Sequence, residues 1–148
     1  MAKRRTCLLA LLLFSCGGDD SEPATGAETE GVTWCQALGV LEASCQRCHA
    51  DPQQNGAPFP LVSYEHTQAP YYNTDKKIFE QMRKAVADDF MPAQLDLDPP
   101  VQSLSCAQKT TLLRWIDEGA ESVGGLDCTP AEKTLVACDP ELGAPAER

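Results

Sequence analysis

Cys45, Cys48 and His49 stand in the order Cys45-Gln46-Arg47-Cys48-His49, a C-x-x-C-H run whose three reactive side chains can act on one ligand. Two thiols three residues apart can each bond one vinyl edge of a porphyrin, and the adjacent imidazole can then bind its iron; this is the attachment pattern of c-type haem. The same residues suit other chemistries less well. A zinc site needs about four ligands, yet the only other histidine is His66 and there is no second C-x-x-C. A redox dithiol of the thioredoxin kind would sit in a βαβ context, and the sequence offers none.

The elements that must position these residues are announced by caps. Thr33-Trp34-Cys35-Gln36 is a capping box, with Leu38, Leu41 and Cys45 following on one face. Ser105-Cys106-Ala107-Gln108 is a second box, opening a helix with Leu112, Leu113 and Ile116 inward and Gly119 as its stop. Thr129-Pro130-Ala131-Glu132 is a third, with Pro130 at the first helical position. Asp75 can cap a further helix through about Ala87, with Ile78, Phe79, Met82 and Val86 on one stripe. No segment alternates with period two, so the chain is predicted to be all-α. Residues 51–74, rich in Pro and aromatic side chains, form a long loop whose aromatics need something to pack on, and a haem edge would serve.

The amino terminus reads as an export signal. Lys3, Arg4 and Arg5 precede an uncharged apolar run over residues 8–14, too short to span a bilayer as a helix. Leu13-Phe14-Ser15-Cys16-Gly17 is similar to a bacterial lipobox, although Phe14 replaces the usual small residue, and it predicts a lipid on Cys16. The organisation expected is a signal peptide over 1–15, a lipid-anchored disordered tether over 16–32, a domain over 33–126 and a tail over 127–148. As a flexible chain the tether reaches about 20 Å, and about 50 Å fully stretched. The twelve basic residues less the three in the leader leave nine against 22 acidic ones, a formal charge of −13. Such a balance argues against nucleic acid and suits solubility or a basic protein partner. Of the eight cysteines, Cys7 leaves with the signal, Cys16 takes lipid, Cys45 and Cys48 take haem, and an even four remain for disulfides in an oxidising compartment.

From Thr33 to about Val123 the chain resembles class I cytochrome c, in particular small exported bacterial members. The resemblance rests on a helix running into residues 45–49, on Gly56-Ala57-Pro58-Phe59-Pro60-Leu61, on Phe90-Met91-Pro92 and on the closing helix through Leu112-Leu113-Arg114-Trp115-Ile116. Ala93 departs from the Met-Pro-Pro of many members. The resemblance implies three to four helices around one covalently attached haem c, with a short disulfide-pinned helical tail. It makes Cys45 and Cys48 the thioether anchors, His49 the proximal iron ligand and Met91 the distal one. Met91 sits in a Pro-flanked loop, whereas Met82 falls on an apolar helical stripe and reads as core; His66 is the runner-up ligand. The second nitrogen of His49 should donate to a backbone carbonyl, with Pro58 and Pro60 the candidates. Trp115 either approaches a propionate or packs where the first and last helices cross. Because those helices meet in this fold, the preferred disulfides of the three possible pairings are Cys35–Cys106 and Cys128–Cys138.

The function so implied is electron transfer by a mono-haem protein that is not an enzyme. It is exported to the bacterial periplasm or cell envelope, bound to the membrane by lipid, and docks weakly with redox partners. Two other readings are a haem subunit or redox sensor of a larger membrane complex, and a peroxidase-like enzyme with an open iron face. The second lacks any distal acid–base pair in the sequence.

Overall fold

The computed structural model describes residues 31–146. The expected signal peptide, the lipidation expected at Cys16 and most of the expected 16–32 tether therefore lie outside the described residues. Within them the chain is helical and contains no strand. The elements run α1 (Trp34–Ser44), α2 (Tyr64–Gln68), α3 (Ile78–Ala87), α4 (Cys106–Asp117), a 3-10 turn (Pro130–Glu132) and α5 (Pro140–Gly143).

Two of the capping boxes act as the sequence predicts. The Thr33 hydroxyl accepts from the Gln36 N–H while the Gln36 amide oxygen accepts from the Thr33 N–H, and Ser105 and Gln108 repeat the exchange at α4. The third box opens only one turn. There the Glu132 carboxylate accepts from both the N–H and the hydroxyl of Thr129, after which the chain leaves helical geometry at Lys133. The α3 helix starts at Ile78 rather than at Asp75. Residues 71–76 instead close a turn, with the Tyr71 N–H on the Lys76 carbonyl at 2.7 Å and the Lys77 N–H on the Glu80 carboxylate at 2.6 Å. Inside the expected loop, Ser63 caps the short α2 through its hydroxyl.

The core lies between α1, α3 and α4. Trp34, Ala37, Val40 and Leu41 meet Leu112, Leu113, Trp115 and Ile116, and the α3 stripe of Ile78, Met82 and Val86 closes one side. Trp115 packs 5.5 Å from Trp34, centroid to centroid, and donates its indole N–H to the Glu121 carbonyl. It is thus the aromatic of the helix crossing. Val32 is buried and gives its N–H to the Glu118 carboxylate, so the domain takes hold one residue before Thr33.

The disulfides differ from the sequence expectation. Cys35 joins Cys128 and Cys106 joins Cys138, with Cα–Cα distances of 5.3 and 5.2 Å. The helices α1 and α4 do cross, but in opposite directions: Trp34 meets Trp115, and Ser44 accepts from the Gln108 side chain. Cys35 and Cys106 each sit in the first turn of their helix, so the crossing puts them at opposite ends. Helices of this length run about 16–18 Å, well beyond the roughly 7 Å between Cα atoms that a disulfide tolerates. The carboxy-terminal chain bridges both ends instead. It crosses α1 at Gly39, where a Cβ would lie 2.9 Å from that of Lys133, and it crosses α4 at Gly143, where a Cβ would lie 2.5 Å from the Cys106 sulfur. Between these points Lys133 pairs with Glu42, and Thr110 and Thr111 on α4 bond the backbone of Asp139 and Val136.

Candidate functional site

The C-x-x-C-H run folds as the turn that ends α1. Cys45 is the helix C-cap, the Cys48 N–H bonds the Cys45 carbonyl at 3.1 Å, and the His49 N–H bonds that carbonyl at 2.9 Å. One helical turn carries positions i, i+3 and i+4 to the same side, which is why this spacing gathers two thiols and an imidazole. All three line one cavity of about 370 Å³, within the range of small-molecule and cofactor sites. They are joined there by Leu61, Met82, Val86, Phe90, Met91 and Leu112, so the walls are mostly apolar.

The two thiols are the unpaired cysteines among the described residues. Burial against this apolar wall, with Cys48 beside it, pushes the Cys45 thiol up to about 12, so it stays protonated at neutral pH. Cys48 lies half-buried, with the Asn55 amide 3.6 Å from its sulfur. Arg47, in the middle of the motif, reaches out to donate to the Pro99 carbonyl and ties the turn to the 98–101 segment.

His49 is 7 % exposed, and its Nδ1 lies 2.8 Å from the Phe59 carbonyl. A carbonyl only accepts, so Nδ1 carries the proton and Nε2 is left with its lone pair. Burial holds the imidazole pKa below its ordinary 6.5, with the Phe59 bond acting in the opposite sense. The accepting carbonyl is therefore that of Phe59 and not of Pro58 or Pro60. The same segment returns a second bond, from the Leu61 N–H to the His49 carbonyl at 2.8 Å. Phe59 also stacks near the His49 ring, with Tyr71 edge-on behind it. These aromatics of the 51–74 stretch therefore pack on His49 and one another at the cavity.

Met91 lines the cavity, and so does Met82 from α3. His66 does not. It sits in α2, with its ring 3.3 Å from the Ser63 hydroxyl and outside the cavity lining. Among the described residues no group of three or more His, Cys, Asp or Glu side chains is placed to hold a bare metal ion. The arrangement thus offers two thiols, one imidazole lone pair and a thioether to a single apolar space. Sequence reasoning missed the Phe59 carbonyl because a backbone acceptor leaves no mark on residue type. No protein-family model matches this chain, and no curated protein or solved structure matches it.

Proposed function

We propose that this chain is an electron carrier that binds one c-type haem covalently through Cys45 and Cys48, with His49 and Met91 as iron ligands. The observation that carries the reading is a division among the cysteines of the described residues: four are paired in disulfides, and the two left free there line one apolar cavity with His49 and Met91. The donor set fits the group, since two thiols match two thioether bonds and a neutral imidazole with Nδ1 already engaged presents Nε2 as the ligating nitrogen. When bound, the haem supplies a one-electron ferric/ferrous couple.

The chain's own residues do the rest. Cys45 and Cys48 anchor, and the Phe59 carbonyl fixes the His49 tautomer and makes its free nitrogen more basic. Met91 would supply a thioether ligand, which would raise the potential relative to a second imidazole. Leu61, Val86, Leu112 and the other apolar walls exclude water, so little solvent must reorient when charge changes. His49 and Met91 together would hold the iron and leave it no open place for a substrate, which favours transfer of an electron over chemistry. Two disulfides suit the oxidising compartment in which thioether attachment takes place, and the acidic surface suits a basic redox partner. Export, a lipid on Cys16 and location in the periplasm or cell envelope complete the reading.

The test is expression of the full chain in a bacterium that attaches c-type haem, followed by mass and visible spectroscopy. Expected are one added haem that survives denaturation, reversible one-electron reduction, and a weak far-red sulfur-to-iron band when oxidised. A high-spin spectrum that shifts on adding peroxide or carbon monoxide would overturn the carrier reading.

A further inference from the structure

Lys109 is 3 % exposed, and nothing in the site described above uses it. Burying an ammonium is costly unless it is paired and hydrogen-bonded, so its partners show what the burial secures. Its Nζ lies 2.8 Å from Asp89 Oδ1 and 2.8 Å from the Ala144 carbonyl. The other Asp89 oxygen accepts from the Ala146 N–H. One ion pair thus joins α4, the end of α3 and the carboxy-terminal strap, and Met91 follows Asp89 by two residues.

The conformation of Asp89 strengthens the case. Both α3 and α4 end in a Schellman motif, with the Phe90 N–H on the Ala85 carbonyl and the Ala120 N–H on the Trp115 carbonyl. Each motif needs a left-handed residue at the same place. At the end of α4 it is Gly119, φ +100, the residue that adopts this conformation without strain. At the end of α3 it is Asp89, φ +52. Glycine would relax the backbone there too, but it would remove the carboxylate that meets Lys109. The Met91 N–H also bonds the Ala85 carbonyl, so residues 89–91 are folded back as one unit, and the pair holds its first residue, Asp89.

We propose that Lys109 and Asp89 are positioning residues for Met91, locked by the strap, and that they set how firmly the Met91 sulfur is held as an iron ligand. The inference rests on the ligand assignment under Proposed function. A thioether is a weak neutral ligand, so its occupancy depends on how little its loop must be ordered when it binds.

The experiment uses the haem-loaded full chain and titrates the oxidised protein with imidazole, which competes with Met91, while following the far-red band. Asp89→Gly and Lys109→Met should each raise imidazole affinity about tenfold, the usual scale for loss of an outer-shell partner. Lys109→Arg should restore most of the wild-type value, and deletion of residues 144–148 should fall between. A cap with a purely structural role predicts the opposite for Asp89→Gly, because glycine suits the left-handed position better. Arg114→Met, which breaks a separate ion pair between α4 and Asp139 of the strap, serves as the control and should leave imidazole affinity unchanged. Unaltered affinity in Asp89→Gly, or an equal gain in Arg114→Met, would overturn the inference while the ligand assignment stands. A wild-type protein without the far-red band would remove the assignment and the inference together. Should Lys109→Met fail to fold, Asp89→Gly and the deletion decide.

Discussion

The cavity face and the strap face of this protein use the same residue types to opposite ends. On the strap face, cysteines are oxidised into two staples, and buried Thr110, Thr111 and Lys109 bond the crossing chain. On the cavity face, cysteines stay as thiols among apolar side chains, and Phe90 stands 68 % exposed beside Met91. Polar side chains bury well where a second segment brings them partners, and the strap is that segment. Thiols stay available where the local turn sets them side by side facing an apolar wall. Stability is concentrated on one face and reactive groups on the other, and the Lys109–Asp89 pair is where the two meet.

Removing the thiols is the strongest way to break this contrast. Cys45→Ala with Cys48→Ala should abolish covalent haem altogether, read as loss of haem staining on a denaturing gel, while both disulfides still form. Persistence of the stain would sink the anchor assignment. Next in size is the strap itself. The Cys35–Cys128 link closes a separation of 93 residues and Cys106–Cys138 one of 32, so the chain-entropy model gives about 4.5 and about 3.5–4 kcal/mol. Cys35→Ser with Cys128→Ser should therefore lower unfolding free energy in denaturant titrations more than the other double variant does. Peptide mapping without reductant that found Cys35 joined to Cys106 would contradict the strap.

The two methionines sharpen the comparison within the cavity. Met91→Ala should eliminate the far-red band, whereas Met82→Leu, a volume-conserving change on the α3 stripe, should keep it and cost less than about 1.5 kcal/mol. Exchange of those outcomes would move the ligand to α3. The smallest effect lies at the start of the strap. Hydrogen bonds from the Thr129 hydroxyl, and then from its backbone N–H, hold the Glu132 carboxyl below the ordinary 4.5. A depressed carboxyl favours the folded state above its unfolded pKa, and that contribution is lost as pH falls through the folded pKa. An NMR titration of Glu132 should show a midpoint below 4.5 that rises in Thr129→Val. A midpoint unmoved by the substitution would refute the capping role of the hydroxyl.

Much of this arrangement was legible in the residues. The C-x-x-C-H spacing predicts convergence because one helical turn brings i, i+3 and i+4 together, and local geometry is all that requires. The Thr33 and Ser105 boxes mark helix starts for the same reason: their bonds span three residues. The start of α3 is not legible in this way, because Asp75 has the composition of a cap, while the turn over 71–76 that absorbs it depends on backbone bonds. The disulfide pairing is not legible either, because cysteine parity and the helix crossing leave out the direction in which the helices cross. That direction puts Cys35 and Cys106 at opposite ends.

What the sequence determined by itself, then, is what one turn of chain can specify: the caps of α1 and α4, the apolar stripes, and the thiols and imidazole gathered at residues 45–49. Tertiary structure alone decided the Phe59 carbonyl as the partner of His49, the cysteine pairing, and the bond from Lys109 through Asp89 to the strap. Each of these joins segments at least ten residues apart. Contacts between distant segments depend on the relative placement of whole elements, and residue type at either end carries no record of it.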